Sequence, residues 1–298
     1  MNEPDSRFIH CVQLDGQGGC TGLDRQSLSN PDVNKGALWV HFDTDDRQAL
    51  DWLFKESGVD PVIVEALTTP ETRPRTFSTS KGLFLILRGV NLNPGADAED
   101  MVSIRLWIER DRIISSRRRK LLSVQDLRES LNQGLGPTSP GSFLIALIER
   151  LADRIGSFVD DIEERLEEIE VSLADDGAGG NRQRLSALRR QIAAVRRFLA
   201  PQRDALDRLY RQPGDMFSDT DMMHFREESD RLARYLEDLD LARERAVVLQ
   251  EELLGQIAQE QNARMYVLSV VAAIFLPLTF ITGLLGRTGG GLPGVSSD

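Results

Sequence analysis

Cysteine and histidine are scarce in this chain: Cys11 and Cys20 are the only thiols, and His10, His41 and His224 the only imidazoles. Two thiols near the N-terminus do not make the framework that small secreted domains build from several pairs, and they read as reduced cytosolic cysteines. No CxxC or HxxxH pair occurs, so a structural zinc site of the usual spacing is not encoded. Basic residues are also in deficit, 36 against 47 acidic, for a net charge of -11, which runs against nucleic-acid binding. There is no P-loop, no GxGxxG and no nucleophile–base pattern, so an enzyme has little support. The first thirty residues are polar and rich in Gly and Asp, without the apolar core of a secretory signal.

What is present is one long apolar run. Residues 265–285, MYVLSVVAAIFLPLTFITGLL, carry no formal charge. As a helix they span about 30 Å, the thickness of a bilayer's hydrocarbon core. Arg264 and Arg287 mark the two limits. A buried core helix would keep a polar stripe, and this run offers only Ser269, Thr279 and Thr282, which favours a membrane helix. Pro277 inside it is tolerated in a membrane, where neighbours and a nearby Thr can satisfy the freed carbonyl. Arg243, Arg245 and Arg264 precede the run and Arg287 alone follows it, which places the N-terminal side in the cytoplasm.

Before this run the period of the apolar residues changes once. Residues 8–14, 37–42, 82–90, 102–109 and 112–116 are short, apolar or alternating, and predict strands. Residues 45–57 and 61–67 predict helices, the second with Asp60 as N-cap and Pro61 at its first position. The Pro- and Thr-rich tract 68–80 predicts a loop, and 91–100 a turn between strands. The run Arg117, Arg118, Arg119, Lys120 reads as a solvated loop rather than a contact with anionic lipid. A short helix within 120–137 ends at the break GLGPTSPG.

From Phe143 the apolar positions step by three and four through Leu173, a helical stripe about nine turns long. DDGAGG stops it. A second helix carries Leu185, Leu188, Ile192, Val195 and Leu199, passes a kink at Pro201 and reaches Tyr210; residues 212–214 break it. A third starts near Ser218 or Asp219. Leu232, Tyr235, Leu239, Ala242, Ala246, Leu249 and Leu253 form a heptad-like seam, and only Gly255 interrupts the path to Met265. One helix of about 100 Å is therefore expected, a stalk continuous with the membrane segment. A rigid connection of this kind transmits movement between a soluble domain and a bilayer, and a helix with one narrow seam needs partners.

The membrane segment holds no carboxylate or imidazole, so a passing ion meets hydroxyls, carbonyls and water, as a partly hydrated hard cation does. Thr279, Gly283 and Gly286 share a face, and spacing alone fits close helix packing as well as a pore. Glu251, Glu252 and Glu260 lie just before the segment. They fit a solvated stalk face, or, in an oligomer, carboxylate rings that attract cations to an inner entrance.

The stretch IFLPLTFITGLLG, residues 274–286, resembles the first membrane helix of the CorA-type metal ion transporters. GGLPG at 290–294, RPR at 73–75 and LRGVNLNPGADAEDMVSIRLWI at 87–108 resemble the zinc transporter (ZntB) branch of that family. The likeness covers nearly the whole chain. It implies an α+β fold: an N-terminal mixed α/β cytoplasmic domain, long helices forming a funnel or stalk, and a last helix that continues into the membrane, assembled as a homopentamer in the inner membrane. The corresponding division is 1–137, 138–264, a pore helix 265–285, and an outer loop 286–298 that stops before an expected second membrane helix. The implied function is transport of a divalent cation, zinc first, with Mg²⁺, Co²⁺, Ni²⁺ and Cd²⁺ as other candidates. No cofactor and no dedicated high-affinity metal site is expected. Partners would be copies of the chain, membrane lipid and metal cations. By motif position, Asn262, Met265, Leu276, Thr279 and Gly283 would face the pore. The family's Gly-Met-Asn signature at the outer mouth falls on Gly286, Arg287 and Thr288. Arg287 and Thr288 depart from it, since an arginine ring repels cations and Thr288 lacks the amide. With the expected second helix also missing, a non-transporting, membrane-anchored scaffold or regulatory subunit stands as the alternative.

Overall fold

The computed structural model describes residues 6–24, 27–28, 35–70, 73–174, 180–212 and 216–287. Strands β1 (His10–Leu14), β2 (Cys20–Gly22) and β3 (Leu38–Asp43) are followed by helices α1 (Arg47–Lys55) and α2 (Pro61–Thr68). Strands β4 (Arg75–Ser78), β5 (Leu83–Gly89), β6 (Val102–Ile108) and β7 (Arg112–Arg117) come next. The rest is helical: α3 (Leu122–Asn132), α4 (Pro140–Ala174), α5 (Asn181–Arg211) and α6 (Asp219–Arg287).

The strands form one seven-stranded sheet in the order β2-β1-β3-β7-β6-β5-β4. Only β3 and β7 pair in parallel; the other neighbours are antiparallel. Alternation along each strand sorts side chains to two faces. On β5, Leu83, Leu85 and Leu87 enter a large core with α3, α4, α5 and α6, while Phe84 and Ile86 enter a smaller one under α1 and α2. The large core is unbroken from Val12 on the sheet to Leu253 on α6.

Local chemistry sets the helix starts. Asp46 accepts from the Gln48 and Ala49 amides at 2.8 and 3.1 Å, and Asp60 from the Val62 amide at 2.9 Å, so both cap exposed first-turn donors. At α4, Ser139 Oγ accepts from the Ser142 amide at 3.1 Å and Pro140 opens the helix. The turn at 91–100 between β5 and β6 is as expected.

Two strands depart from expectation. Residues 68–80 are not all loop: Arg75–Ser78 pairs with Leu83–Ile86 at the sheet edge, and Thr76 donates to the Phe84 carbonyl at 3.2 Å. A short edge strand owes its conformation to its neighbour more than to its composition, which is rich in Pro and Thr. β2 is likewise an edge strand, three residues long. Arg117 also belongs to β7 rather than to a loop. The breaks expected at 175–179 and 213–214 lie outside the described residues.

Candidate pore helix and its stalk

α6 runs unbroken for 69 residues, about 100 Å, through both Gly255 and Pro277. A little more than its first half is held by α4 and α5. Leu232, Leu236, Leu239, Ala242, Ala246, Leu249 and Leu253 are buried in the large core. Around them run exposed or half-exposed ion pairs: Arg231 with Asp153 at 2.6 Å, Arg196 with Asp240 at 2.8 Å and Arg245 with Glu170 at 2.9 Å. Such pairs fix register and add little stability. Arg231 also donates to the Tyr235 hydroxyl at 2.8 Å. Tyr235 lies against Gly156 of α4, where an added Cβ would come within 2.9 Å of the ring carbon Cζ.

The stalk leaves the bundle at the end of α4. There Gln256 Nε2 donates to the Leu173 carbonyl at 3.1 Å, which satisfies one of α4's terminal acceptors. Beyond Ile257 every described side chain to Leu284 is exposed. The exposed set includes Met265, Val267, Leu268, Ile274, Phe275, Leu276, Phe280 and Ile281. Among the described residues this is the only helix segment long and apolar enough to cross a membrane, and none of it is buried within the chain. An apolar surface of this extent, with no protein cover, is suited to lipid or to copies of the same helix.

The hydroxyls of the apolar segment turn inward on the helix. Ser269 donates to the Met265 carbonyl at 2.9 Å, Thr279 to Phe275 at 2.8 Å, and Thr282 to Leu278 at 2.9 Å. Each hydroxyl is thereby satisfied inside an apolar medium and keeps its lone pairs for a second partner. Pro277 has no amide to offer the Ala273 carbonyl, and the nearest threonine, Thr279, bonds Phe275 instead.

At about 100° per residue, Asn262, Met265, Leu276, Thr279 and Gly283 fall within an arc of roughly 100°. Glu251 projects from the same arc. Glu252 lies roughly 130° from its centre and Glu260 roughly 150°, close to the line continued from the buried seam. Glu260 is engaged with Arg264 at 3.3 Å, whereas Glu251 and Glu252 have no ion pair among the described residues. The seven-residue seam therefore faces one way and the stripe of candidate pore residues the other. A Cβ at Gly283 or Gly255 would meet nothing within 4 Å. No group of three or more His, Cys, Asp or Glu side chains suited to a metal occurs among the described residues. Thr288 lies outside the described residues, as does the GGLPG segment.

The profile of the family described as CorA-like Mg2+ transporter protein matches residues 34–297. The chain belongs to this family. It is a family of transporters, not of enzymes. A CorA-like chain named zinc transport protein ZntB, from Pectobacterium carotovorum subsp. carotovorum, is 36% identical over 289 residues, spanning 97% of this chain and 87% of the relative. The divalent cation transporter CmaX of Pseudomonas aeruginosa is 38% identical over 293 residues, spanning 97% and 88%. The solved structure of full-length CmaX superposes with a TM-score of 0.90 at 38% identity, covering 100% of this chain and 92% of that one. The CorA-like fold is thus present here: an N-terminal α/β layer, long helices, and a C-terminal apolar helix.

Proposed function

We propose that this chain carries divalent cations, zinc first among them, across a bacterial-type inner membrane. The observation that carries the reading is α6 itself. One helix is rigidly seated in a folded domain over its first part and wholly apolar and uncovered over its last, in a chain matched over 97% of its length to proteins named as zinc and divalent-cation transporters. A single helix encloses nothing, so the pore requires several copies. Exposed Leu241, Val248 and Leu254 on the stalk give those copies apolar surface to share. Five copies with the N-terminal 264 residues in the cytoplasm fit the family. In that assembly residues 1–137 form the soluble α/β domain, 138–264 the stalk, 265–285 the pore helix, and 286–298 an outer loop.

The arc of Asn262, Met265, Leu276, Thr279 and Gly283 lines the pore, with Gly286, Arg287 and Thr288 at its outer mouth. It offers an amide, a thioether and a backbone rather than tight zinc ligands, so the ion passes with part of its water shell. Glu251 continues that arc toward the cytoplasm and gathers cations there. Glu252 and Glu260 add to the field with less direct aim.

Purified protein in liposomes loaded with a zinc-sensitive dye tests the reading. Zinc-dependent fluorescence that rises with protein and disappears when Gly283 is replaced by Trp supports it. A folded oligomer in liposomes that admits no Zn²⁺, Mg²⁺, Co²⁺, Ni²⁺ or Cd²⁺ refutes it and favours the scaffold alternative.

A further inference from the structure

A second site lies in the α/β domain, away from α6. A cavity of about 470 Å³ opens beside the C-terminal end of α2, lined by Arg88, Arg105, Arg118 and Arg119, with Asp45, Asp100 and Ser103. Among the described residues four guanidiniums stand against two carboxylates there, in a chain whose net charge is -11. The local sign is opposite to the global one, so the cavity is not a sample of the general surface.

Arg105 is its unusual member. It stands on β6 between Ser103, which lines the cavity, and Trp107, which enters the smaller core, at a position where alternation calls for an apolar side chain. Its side chain is 1% exposed. Nη2 donates to the Thr69 carbonyl at 2.8 Å, which leaves Nε and Nη1 buried with no hydrogen-bond partner among the described residues. No carboxylate among the described residues pairs with it. Burial first, then Arg88 and Arg118, push its pKa down to about 10. A buried cation without a counter-charge is costly, and one that caps a single carbonyl leaves two of its three nitrogens without a task.

The neighbours are held in place. Arg88 donates to the Met101 carbonyl at 2.8 Å and stacks at 3.8 Å on the Phe198 ring of α5. Arg119 is clamped to Asp100, and Arg118 reaches Asp45 at 3.6 Å. Guanidiniums held around one cavity can match oxyanions through paired N–H donors.

We propose that this cavity binds a soluble anion with two or more adjacent phosphates, such as the polyphosphate end of a nucleotide. Arg105 Nε and Nη1 supply the buried donors, and Arg118 and Arg119 exchange part of their carboxylate contacts for the ligand. Size favours more than one phosphate, since the volume falls in the range of small-molecule sites. The lining contains no aromatic ring among the described residues, so recognition rests on the phosphates rather than on a stacked base. The site is independent of the transport reading, because its signal is anion binding and not ion flux.

The test is calorimetric titration of the full-length chain in neutral detergent, in chelator-treated buffer, with sodium pyrophosphate at an ionic strength matched by sodium chloride. Saturable binding is expected, tighter than for orthophosphate. Arg105→Gln should weaken it by about tenfold or more. Arg118→Gln should weaken it too, and that side chain is exposed enough for the fold to tolerate its loss. Arg211→Gln, at the far end of α5, should leave it unchanged. Absence of saturable binding, or equal affinity in the Arg105 and Arg118 variants and the parent, overturns the proposal and leaves Arg105 as a clamp on the Thr69 carbonyl. Binding abolished in lipid discs of phosphatidylglycerol but kept in phosphatidylcholine assigns the cavity to a lipid headgroup and overturns the soluble ligand.

Discussion

Leu239 and Leu241 make a matched pair on one helix, and their replacement by Ala separates the inward face of the stalk from the outward one. Leu239 is 0% exposed in the core between α4, α5 and α6, whereas Leu241 is 59% exposed. Truncating a fully buried leucine loses its transfer free energy and leaves a cavity that long, straight helices cannot readily collapse, for about 3 kcal/mol within a range of 2–5. At roughly 2–4 °C per kcal/mol for a chain of this size, Leu239→Ala should lower the melting temperature by about 6–12 °C. Leu241→Ala removes the same atoms from a position that touches solvent in the single chain, and should shift it by less than about 2 °C if no copy covers it. Melting of the detergent-solubilised chain, followed by tryptophan fluorescence alongside light scattering for mass, reads both effects. A fall for Leu241→Ala that accompanies dissociation of the oligomer marks that face as covered by a neighbouring copy. Equal, small shifts for both variants with unchanged mass would refute the placement of the seam.

Gly156→Ala forces Tyr235 away from α4 and strains its bond to Arg231, so it should destabilise by about 1–2 kcal/mol; in a Tyr235→Ala background the same change should be neutral or stabilising, because Ala is the better helix former, and a double-mutant melt checks the change of sign. His10 is half-buried near Arg128 and Arg117, and its partial burial first, then these charges, lower its pKa from 6.5 to about 4. Between those values the unfolded chain binds the proton and the folded one does not, so stability present above pH 6.5 is lost as the pH falls toward 4; His10→Phe should flatten melting temperature against pH across that window. Glu251→Gln should lower zinc flux by roughly two- to five-fold at low ionic strength and by less at 0.5 M salt, where the Debye length is well under 10 Å. Glu260→Gln, paired with Arg264 and off the arc, should change it little, and flux assays on both variants decide the assignment.

The reach of sequence reasoning followed the range of the interaction concerned. The five strands whose own residues alternate or run apolar, the Asp60 cap, and the three long helices each answer to neighbours a few residues away. Edge strands β2 and β4 do not. Arg75–Ser78 is extended because β5 offers it a ladder, and nothing in its Pro- and Thr-rich surroundings announces that. The candidate pore residues were named by their place in a family motif, and that they share one arc follows from their spacing along a single helix, where sequence separation converts directly into angle. The same geometry narrows the three glutamates to one, Glu251, that shares the arc.

The arginine cavity shows the other limit. Arg88, Arg105, Arg118 and Arg119 come from β5, β6 and the segment after β7, with the end of α2 closing the space. Arg105 did carry a local signal, as a charge where a strand's inward face should be apolar, yet its significance depends on what lies opposite. In sequence, Arg118 and Arg119 read as part of a solvated loop.

By itself, then, the sequence determined the apolar membrane-length segment, the stalk joined to it without a break, and the alternation that sorts the strands into two faces. These follow from covalent spacing, helical pitch and the transfer free energy of side chains in a row. Only the tertiary structure decided the strand order, the direction in which the buried seam turns α6, and the gathering of three further arginines around the buried Arg105 guanidinium. Those depend on which distant segments meet, and on the balance between burying a charge and satisfying it, which no window along the chain contains.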